Sequence, residues 1–215
     1  MERMTTLTVA SRGWNHTEWV GVFYPDDLPE EWRLTYYANE FSAVLIPAGE
    51  WLAADAESCA DWADDVAESF RFYLELPEEM DAGEILDRLK ACCVLLGDNL
   101  GGVLVWRECS QEAQADLHRQ LGNITMLFQA VDTSAYFAIE QEEILFLLAP
   151  PVGDRPGELA AVLAPEGCLD LRRLRNLMLA ITSNDERKNS VLLFLTGSPP
   201  EITQLQEAHT LAGML

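Results

Sequence analysis

The chain has 215 residues, of which 14 are Lys or Arg and 36 are Asp or Glu, so its formal net charge at pH 7 is −22. Hydrophobic residues make up 49% of the chain, which is enough for a folded core and excludes disorder as the reason for the charge. An acidic surface of this kind repels phosphate groups, so we expect neither nucleic acid nor membrane as a partner. The length fits one domain of ordinary size or two small ones, and we expect a single domain over residues 1–215.

The five cysteines are odd in number and lack the paired spacing of metal ligands. The sequence also begins without a charged and then apolar leader. These features predict a cytoplasmic protein with reduced thiols, no cofactor and no bound metal. Cys92 and Cys93 lie within a helical pattern, which favours a packing role over redox chemistry.

Eight short apolar runs recur along the chain, and most are followed by polar, helix-like segments. Several are near-continuous in Val, Leu, Ile and Phe, which is typical of parallel strands buried on both faces. The predicted strands are 7–11, 43–48, 70–76, 102–106, 125–131, 144–149, 159–164 and 191–196. Apolar residues at helical spacing predict helices over 29–40, 53–68, 82–96, 169–181 and 201–215.

Strands that alternate with helices predict an α/β fold with a parallel sheet. Eight strands close a (β/α)₈ barrel, although the pattern alone leaves a doubly wound open sheet as an alternative. Such barrels usually need about 250 residues, so this chain has little spare length. Only residues 150–158 separate the sixth and seventh predicted strands, so either the crossover helix is missing or one strand assignment is wrong. We predict a small, trimmed TIM-type (β/α)₈ barrel with an incomplete outer helix ring in its second half, where a second copy in a homodimer would cover strands five to seven.

The segment ASRGWNHTEWVGVFYP, residues 10–25, resembles the opening signature GTSGW…W..VFYP of the YecE-like domain-of-unknown-function family (number 72). The similarity continues through LTYYANEFSAV (34–44), SFRFYLELP (69–77) and LLGDNLGGVLV (95–105). The second half matches the family only in order and spacing. The resemblance implies a TIM-type barrel and no settled activity.

Most polar residues that the family places near its strand ends are replaced in this sequence. The family's Glu and Asn after strand two align with Leu45 and Pro47, and its Lys of strand three aligns with Glu75. In the second half, its polar residues align with Gln129, Val131, Ala161, Leu195 and Thr196. The resemblance therefore implies a divergent barrel that has lost this set. We predict a non-catalytic binding or protein-interaction module, and a small-molecule hydrolase acting at the C-terminal barrel mouth is the alternative.

If the protein is an enzyme, its catalytic residues belong in the loops that follow the strands. An arginine there holds a carboxylate or phosphate, a histidine exchanges protons near neutral pH, and paired carboxylates act as acid and base. The candidates of these types are Arg12, His16, Glu50, Glu75 and Asp132. A binding mouth would instead use Arg12, Trp14, Asn15, Trp51, Trp106 and Arg107.

Two simpler interpretations stay open at this point. The loop 11–16 is also explained as a turn at Gly13 with Trp14 packed over the mouth, and the loop-end charges as solvated groups. A mouth plugged by Trp14, Trp51 and Trp106 would exclude the enzyme. An open pocket with two carboxylates in reach of Arg12 or His16 would exclude a purely binding role.

Two short segments, 61–68 and 140–143, are locally rich in acidic residues. The sequence is compatible with solvated faces that keep the protein soluble or with a docking surface for a basic protein partner.

Overall fold

The computed structural model of the chain describes residues 6–77, 82–130, 144–149, 157–163, 169–183 and 188–215. It confirms all eight predicted strands. Their bounds are β1 Thr6–Ser11, β2 Ala43–Ile46, β3 Arg71–Glu75, β4 Leu100–Val105, β5 Met126–Gln129, β6 Ile144–Ala149, β7 Gly157–Leu163 and β8 Lys188–Leu195.

The eight strands form one sheet in the order β1-β8-β7-β6-β5-β4-β3-β2. The two ends of this order come together where Arg12 forms a parallel bridge with Leu45. The main-chain N–H of Gly13 also donates to the carbonyl of Leu45, with N···O 2.8 Å. The sheet is therefore a nearly closed barrel, which confirms the TIM-like prediction over the open sheet.

The expectation of an all-parallel sheet is wrong at β6. This strand pairs antiparallel with both β5 and β7, whereas the remaining pairs in the sheet are parallel. Antiparallel neighbours can be joined by a short reversal and need no crossover helix. Both strand assignments were therefore correct, and the few residues between β6 and β7 are explained by strand direction.

The described helices are α1 Arg33–Ala38, α2 Ala48–Ala53, α3 Ala56–Asp64, α4 Ala82–Leu96, α5 Gln111–Leu121, α6 Leu171–Ser183 and α7 Ile202–Ala212. Five of them lie within or near the predicted helical segments, and α2 and α5 were not predicted. Among the described residues no helix follows β5 or β6, and this is where the ring was expected to be incomplete.

Helix α5 has a capping residue at each end, although its hydropathy pattern does not predict a helix. The Ser110 hydroxyl oxygen accepts from the N–H of Ala113 (3.2 Å), which caps the first turn. Gly122 ends the helix at φ 66°, a conformation that glycine adopts at little cost. Only Leu117 and Leu121 of this helix are buried, so its apolar stripe is narrow.

Side-chain alternation along the strands separates two cores. The inward residues form a cluster within the barrel, and the outward residues pack against the helices in a larger cluster that includes Phe72 and Leu74. Tyr73 and Phe194 meet edge to face across the interior, with ring centroids 5.3 Å apart. The interior cluster consists of Ala10, Ala43, Leu45, Tyr73, Leu104, Leu127, Leu147, Ala149, Ala160, Val162, Leu192 and Phe194.

Cys92 and Cys93 are buried in the outer cluster, and burial raises the pKa of both thiols. In the described part of the chain, no helix is long and apolar enough to cross a membrane. The single domain over 1–215, the cytoplasmic location and the homodimer that covers strands five to seven stay predictions.

Candidate ligand-binding site

An ion pair lies at the C-terminal mouth of the barrel. Arg12 follows β1, and its Nη2 lies 2.7 Å from Oε2 of Glu75, to which its Nε also donates at 2.9 Å. The main-chain N–H of Arg12 donates to the carbonyl of Leu195, so the residue is held between β8 and β2. The side chains are 34% and 16% exposed, so the two charges compensate each other in a half-buried setting.

Glu75 reaches the mouth because of the register of β3. Tyr73 lies in the interior cluster, and residues two positions apart on a strand share a face. Glu75 therefore projects inward, whereas Phe72 and Leu74 face the helices. The sequence could not decide this, because a shift of one residue reverses every side chain of a strand.

His16 and Glu50 close over Gly13. The glycine has φ 77°, and a Cβ placed on it would lie 3.1 Å from Nε2 of His16 and 3.4 Å from Oε1 of Glu50. Nε2 of His16 lies 3.0 Å from the carbonyl oxygen of Arg12, so Nε2 carries the proton and donates it. The ring packs on Trp19 at 4.5 Å between centroids, and burial lowers the pKa of His16. His16 is therefore neutral at pH 7 and stabilises the turn through this hydrogen bond and this ring contact.

Glu50 lies on α2 beside the ion pair. Burial raises the pKa of this carboxyl, Arg12 opposes the shift, and Glu75 adds to it. Glu50 also lines a groove outside the barrel, so it connects the mouth with that groove. Among the catalytic candidates that the structure describes, Glu50 is the one whose pKa is raised, so its carboxyl keeps its proton to higher pH.

Two of the predicted mouth tryptophans pack outside the barrel. Trp14 contacts Trp62 edge to face at 5.4 Å between centroids and lies 6.5 Å from the ring of Phe72. Trp51 is buried in the same outer cluster, and its indole N–H donates to the carbonyl of Glu75 at 2.9 Å. The three tryptophans therefore do not form a common plug.

Trp106 is the tryptophan that borders the barrel interior. It is half-buried after β4 and packs against the interior cluster. Its indole N–H has no hydrogen-bond partner among the described residues. Arg107, the next residue, is also half-buried. Asp132 lies outside the described residues.

A groove of about 750 Å³ runs beside the mouth, between the loop after β1, α1, α2 and α3. We call it the acidic groove. Five carboxylates line it, together with the rings of Trp14 and Trp62, and it has no Lys or Arg in its lining. The lining residues are Trp14, Asn15, Glu30, Glu31, Leu34, Glu50, Ala53, Ala54, Ser58, Asp61, Trp62 and Asp65.

The carboxylates of the acidic groove are uncompensated. None of the five forms an ion pair within the part of the chain that the structure describes. Burial raises the pKa of Asp65, and the neighbouring Asp61 and Asp64 raise it further. The groove therefore carries concentrated negative charge without a direct ion pair among the described residues, in contrast to the mouth, and Arg12 acts only on Glu50 at its edge.

The position of α3 strengthens the repulsion among the carboxylates at its C-terminal end. The helix begins after Asp55, whose Oδ1 accepts from the N–H of Ser58 at 2.8 Å. It ends at Asp64, so Asp61, Asp64 and Asp65 lie at its C-terminal end, where the helix dipole is negative. Carboxylates at this end of a helix are unfavourable unless a cation approaches them.

A hydrogen-bonded relay orients the opposite wall of the groove. Nη1 of the buried Arg33 donates to Oδ1 of Asn15, and Nδ2 of Asn15 donates to Oε1 of Glu30. Arg33 also lies over the ring of Tyr24, 5.7 Å from its centroid. Asn15, predicted as a mouth residue, thus holds Glu30 in place at the groove.

The sequence predicts only part of this groove. The acidic segment 61–68 is compatible with a solvated face or a docking surface, but its pattern does not connect it with Glu30, Glu31 or Trp14. These residues come together because the loop after β1 and the start of α1 fold against α3. The sequence does contain one indication of the groove. Asp61 and Asp65 are four residues apart, so they share a helix face next to Trp62.

The structure offers no evident metal centre. Within the described ranges, no group of three or more His, Cys, Asp or Glu side chains is arranged to hold a metal ion. The chemistry that these residues support is binding of a cation and, at Glu50, proton exchange.

Comparison with known proteins identifies the family. A family model described as "Protein of unknown function DUF72" matches residues 8–140, which is more than half of the chain. The chain belongs to the DUF72 family. No curated protein matches this DUF72 chain.

Solved structures of the family share its fold. A DUF72 family protein from Thermotoga maritima MSB8 has a TM-score of 0.64 at 15% identity, with 97% of this chain and 98% of that chain covered. A DUF72 family protein from Enterococcus faecalis V583 has a TM-score of 0.62 at 11% identity, with 99% and 98% covered. A second crystal structure of an Enterococcus faecalis V583 DUF72 protein gives 0.66 at 12% identity, with 97% and 96% covered. These structures therefore share the fold of the DUF72 chain.

Proposed function

We propose that this DUF72 protein is a binding protein whose acidic groove takes a lysine- or arginine-rich segment of a partner protein. The observation that carries the proposal is the set of five carboxylates without ion pairs around one groove, with tryptophans in its wall. Uncompensated charge is costly, and a cationic ligand removes this cost when it binds. The same interaction at the mouth is already made within the chain by Arg12 and Glu75.

The electrostatics favour a basic partner at long range as well as in contact. The chain carries a net charge of −22, and no basic residue interrupts the lining of the groove. A field of one sign that converges on a cleft accelerates association with a ligand of opposite charge. The attraction is screened beyond a Debye length of about 8 Å at physiological salt, so binding should weaken as salt is added.

The groove also fits the apolar part of a basic side chain. Leu34 is buried at its base, and Trp62 is half-buried beside Asp61. Lys and Arg side chains place their methylene stems on apolar surface and keep the charged group near carboxylates. An aromatic face adds about 0.5–1 kcal/mol to a nearby cation at an exposed site.

The mouth gives weaker support for chemistry. The carboxylate of Glu75 is bound by Arg12, and Nε2 of His16 is used by a main-chain carbonyl. Neither group is positioned as a free acid, base or nucleophile. This favours a binding role over a hydrolytic one.

A small-molecule hydrolase remains the second candidate, because the pKa of Glu50 is raised beside the mouth. In such an enzyme Glu50 would donate a proton to a leaving group, and Arg12 would hold the negative charge of the substrate. A screen of ester, phosphate-ester and glycoside substrates tests this. Turnover that is lost in Glu50→Gln and kept in Asp61→Asn would support the enzyme over the binding protein.

Fluorescence anisotropy with labelled hexalysine tests the proposed binding. We expect saturable binding at low salt that weakens with added NaCl. The double variant Asp61→Asn/Asp65→Asn should bind about two- to thirtyfold more weakly, because each exposed ion pair contributes about 0.2–1 kcal/mol. The matched control is Asp87→Asn/Asp116→Asn, which removes two exposed carboxylates outside the groove.

The control double variant has the same net charge as the groove variant. Equal loss of affinity in both would show that hexalysine senses only the overall charge, which would contradict a site at the groove. Absence of saturable binding by the wild-type protein at low salt would contradict the proposal altogether.

A further inference from the structure

A second cavity lies at the opposite, N-terminal end of the barrel, and we call it the N-terminal cavity. It has a volume of about 370 Å³, which falls within the range of about 300–1,000 Å³ that small-molecule sites occupy. Exposed Ser42 and Ser69 line it, so it opens to solvent. It shares no lining residue with the acidic groove.

Hydroxyl side chains are the main feature of its lining. A typical barrel fills its interior with layers of Val, Ile and Leu. In this protein the inward positions at the start of β1 and β8, and just before β5, carry Thr or Ser instead. These side chains leave space and present hydroxyl groups to it. The lining residues with a hydroxyl group are Thr8, Ser42, Ser69, Tyr73, Thr125 and Ser190.

Tyr73 is held in a fixed position at the inner end of the cavity. A Cβ on Gly101 would lie 2.5 Å from Cζ of Tyr73, so the tyrosine ring occupies the space that a side chain would need. The ring also meets Phe194 edge to face, with centroids 5.3 Å apart. Because the phenol oxygen is bonded to Cζ, this packing also fixes the hydroxyl group.

The hydroxyl of Tyr73 is a buried polar group without a protein partner. The residue is 4% exposed, and its hydroxyl forms no hydrogen bond with any residue that the structure describes. Burial is the main cause of the raised pKa of Tyr73, and Glu158 adds to the increase, whereas Arg71 opposes it. The phenol therefore stays protonated and can both donate and accept a hydrogen bond. A buried hydroxyl without a partner is costly, and a ligand in the cavity would remove this cost.

Arg71 offers further hydrogen-bond donors, two residues nearer to the open end of the cavity. Its Nη1 donates to the main-chain carbonyls of Glu68 and Phe70 at 2.6 and 2.8 Å, which holds the guanidinium at the start of β3. Nε and Nη2 donate to no acceptor within the described part of the chain. These two nitrogens are therefore available to a ligand.

The charges around the N-terminal cavity disfavour an ionic ligand. Arg71 and Glu158 both line it, so an ion of either sign would face a side chain of its own sign. The net charge of −22 further opposes the entry of an anion. A neutral ligand meets neither repulsion.

From these observations we infer that the N-terminal cavity binds a small neutral polyol, a sugar of monosaccharide size. Each hydroxyl of a sugar is both a donor and an acceptor, and so is each Ser, Thr and Tyr hydroxyl of the lining. The planar guanidinium of Arg71 places adjacent N–H donors where two neighbouring sugar oxygens can accept them. Leu100 and Leu192 supply apolar surface for the C–H groups of the sugar. The site is independent of the acidic groove.

Saturation-transfer NMR titrations with neutral and charged probes test this inference on the wild-type protein. The neutral probes are D-glucose, D-ribose and D-glucitol, and the matched charged analogues of D-glucitol are D-gluconate and 1-amino-1-deoxy-D-glucitol. We expect saturable binding of at least one neutral probe. Both charged analogues should bind at least about tenfold more weakly than the tightest neutral probe, because an unpaired charge is costly to bury. Added NaCl should leave binding of the neutral probe unchanged, in contrast to hexalysine at the acidic groove.

Two variants that each remove one hydroxyl locate the site. Tyr73→Phe and Thr8→Val should each weaken binding of the neutral probe about two- to tenfold, which is the effect of losing one hydrogen bond. The matched controls are Tyr36→Phe and Thr17→Val, at exposed positions outside the cavity, and they should bind as the wild type does. Tyr73→Phe should also keep the free energy of unfolding of the wild type or raise it, because the hydroxyl that it removes has no partner among the described residues.

Three results would overturn the inference. They are the absence of saturable binding by all three neutral probes, binding of a charged analogue as tight as that of the neutral probes, and wild-type affinity in both Tyr73→Phe and Thr8→Val. Asp61→Asn/Asp65→Asn should bind the neutral probe as the wild type does, so failure of one site does not imply failure of the other.

Discussion

The barrel mouth and the acidic groove share Glu50, but they differ in whether their charged side chains form ion pairs. At the mouth Arg12 and Glu75 compensate each other at 2.7 Å, whereas the five carboxylates of the groove have no ion-pair partner among the described residues. Charges that are satisfied within the chain stabilise the fold, and charges that are left unsatisfied are available to a ligand. This contrast is the basis of our proposal that the acidic groove binds a partner, whereas the ion pair at the mouth stabilises the fold.

The largest expected effect comes from breaking the compensated pair. Glu75→Gln removes the partner of a half-buried guanidinium and should lower the free energy of unfolding by about 1–2 kcal/mol, less than for a fully buried pair because Arg12 is 34% exposed. Urea unfolding followed by tryptophan fluorescence measures this difference. The control is Asp116→Asn, which breaks the exposed Arg119 pair and should cost at most about 0.5 kcal/mol.

Neutralising carboxylates of the acidic groove should instead raise the free energy of unfolding. Asp61→Asn/Asp65→Asn removes repulsion at i, i+4 and at a helix C-terminus, so we expect it to raise the free energy of unfolding by about 0.5 kcal/mol. The same variant is expected to lose affinity for hexalysine. If it unfolds more easily than the wild type, the carboxylates of the groove are part of the stability of the fold, and the contrast with the mouth fails.

The smallest effect is a dependence of stability on pH at Glu50. Its pKa is raised above 4.5, so the folded state holds this proton more tightly than the unfolded state does. The contribution of Glu50 to stability is therefore present at low pH and is lost as pH rises from about 4.5 through the folded-state pKa. Glu50→Gln should flatten the stability curve over this window.

Chemical unfolding between pH 4 and pH 8 measures this slope. Glu57→Gln, on an exposed position of α3, serves as the control and should keep the wild-type slope. If Glu50→Gln keeps the wild-type slope, folding does not raise the pKa of Glu50, and this result would contradict the effect expected from its burial.

The fold was largely predictable because its signals are local. Apolar runs located all eight strands, and amphipathic spacing located helices such as α4. The direction of β6 was not predictable, because an apolar run has the same hydropathy in either orientation. Strand direction depends on which neighbour the run pairs with, and this is a property of the whole sheet.

The site was less predictable because it depends on register and on distant contacts. Arg12 and Glu75 were both singled out, but only the register of β3 brings them together. Ala161 and Leu195, compared with polar residues of the family, lie in the outer cluster and not at the mouth. These positions therefore say nothing about lost mouth chemistry.

Spectra of the six tryptophan indole N–H groups test the central claim most directly. In a ¹⁵N–¹H correlation experiment with added hexalysine, the account predicts shifts of the signals of Trp14 and Trp62, which line the acidic groove, and no shift for Trp106 at the barrel mouth. Assignment follows from Trp→Phe variants at these three positions. A shift of Trp106 without a shift of Trp62 would place the ligand at the mouth and contradict the account.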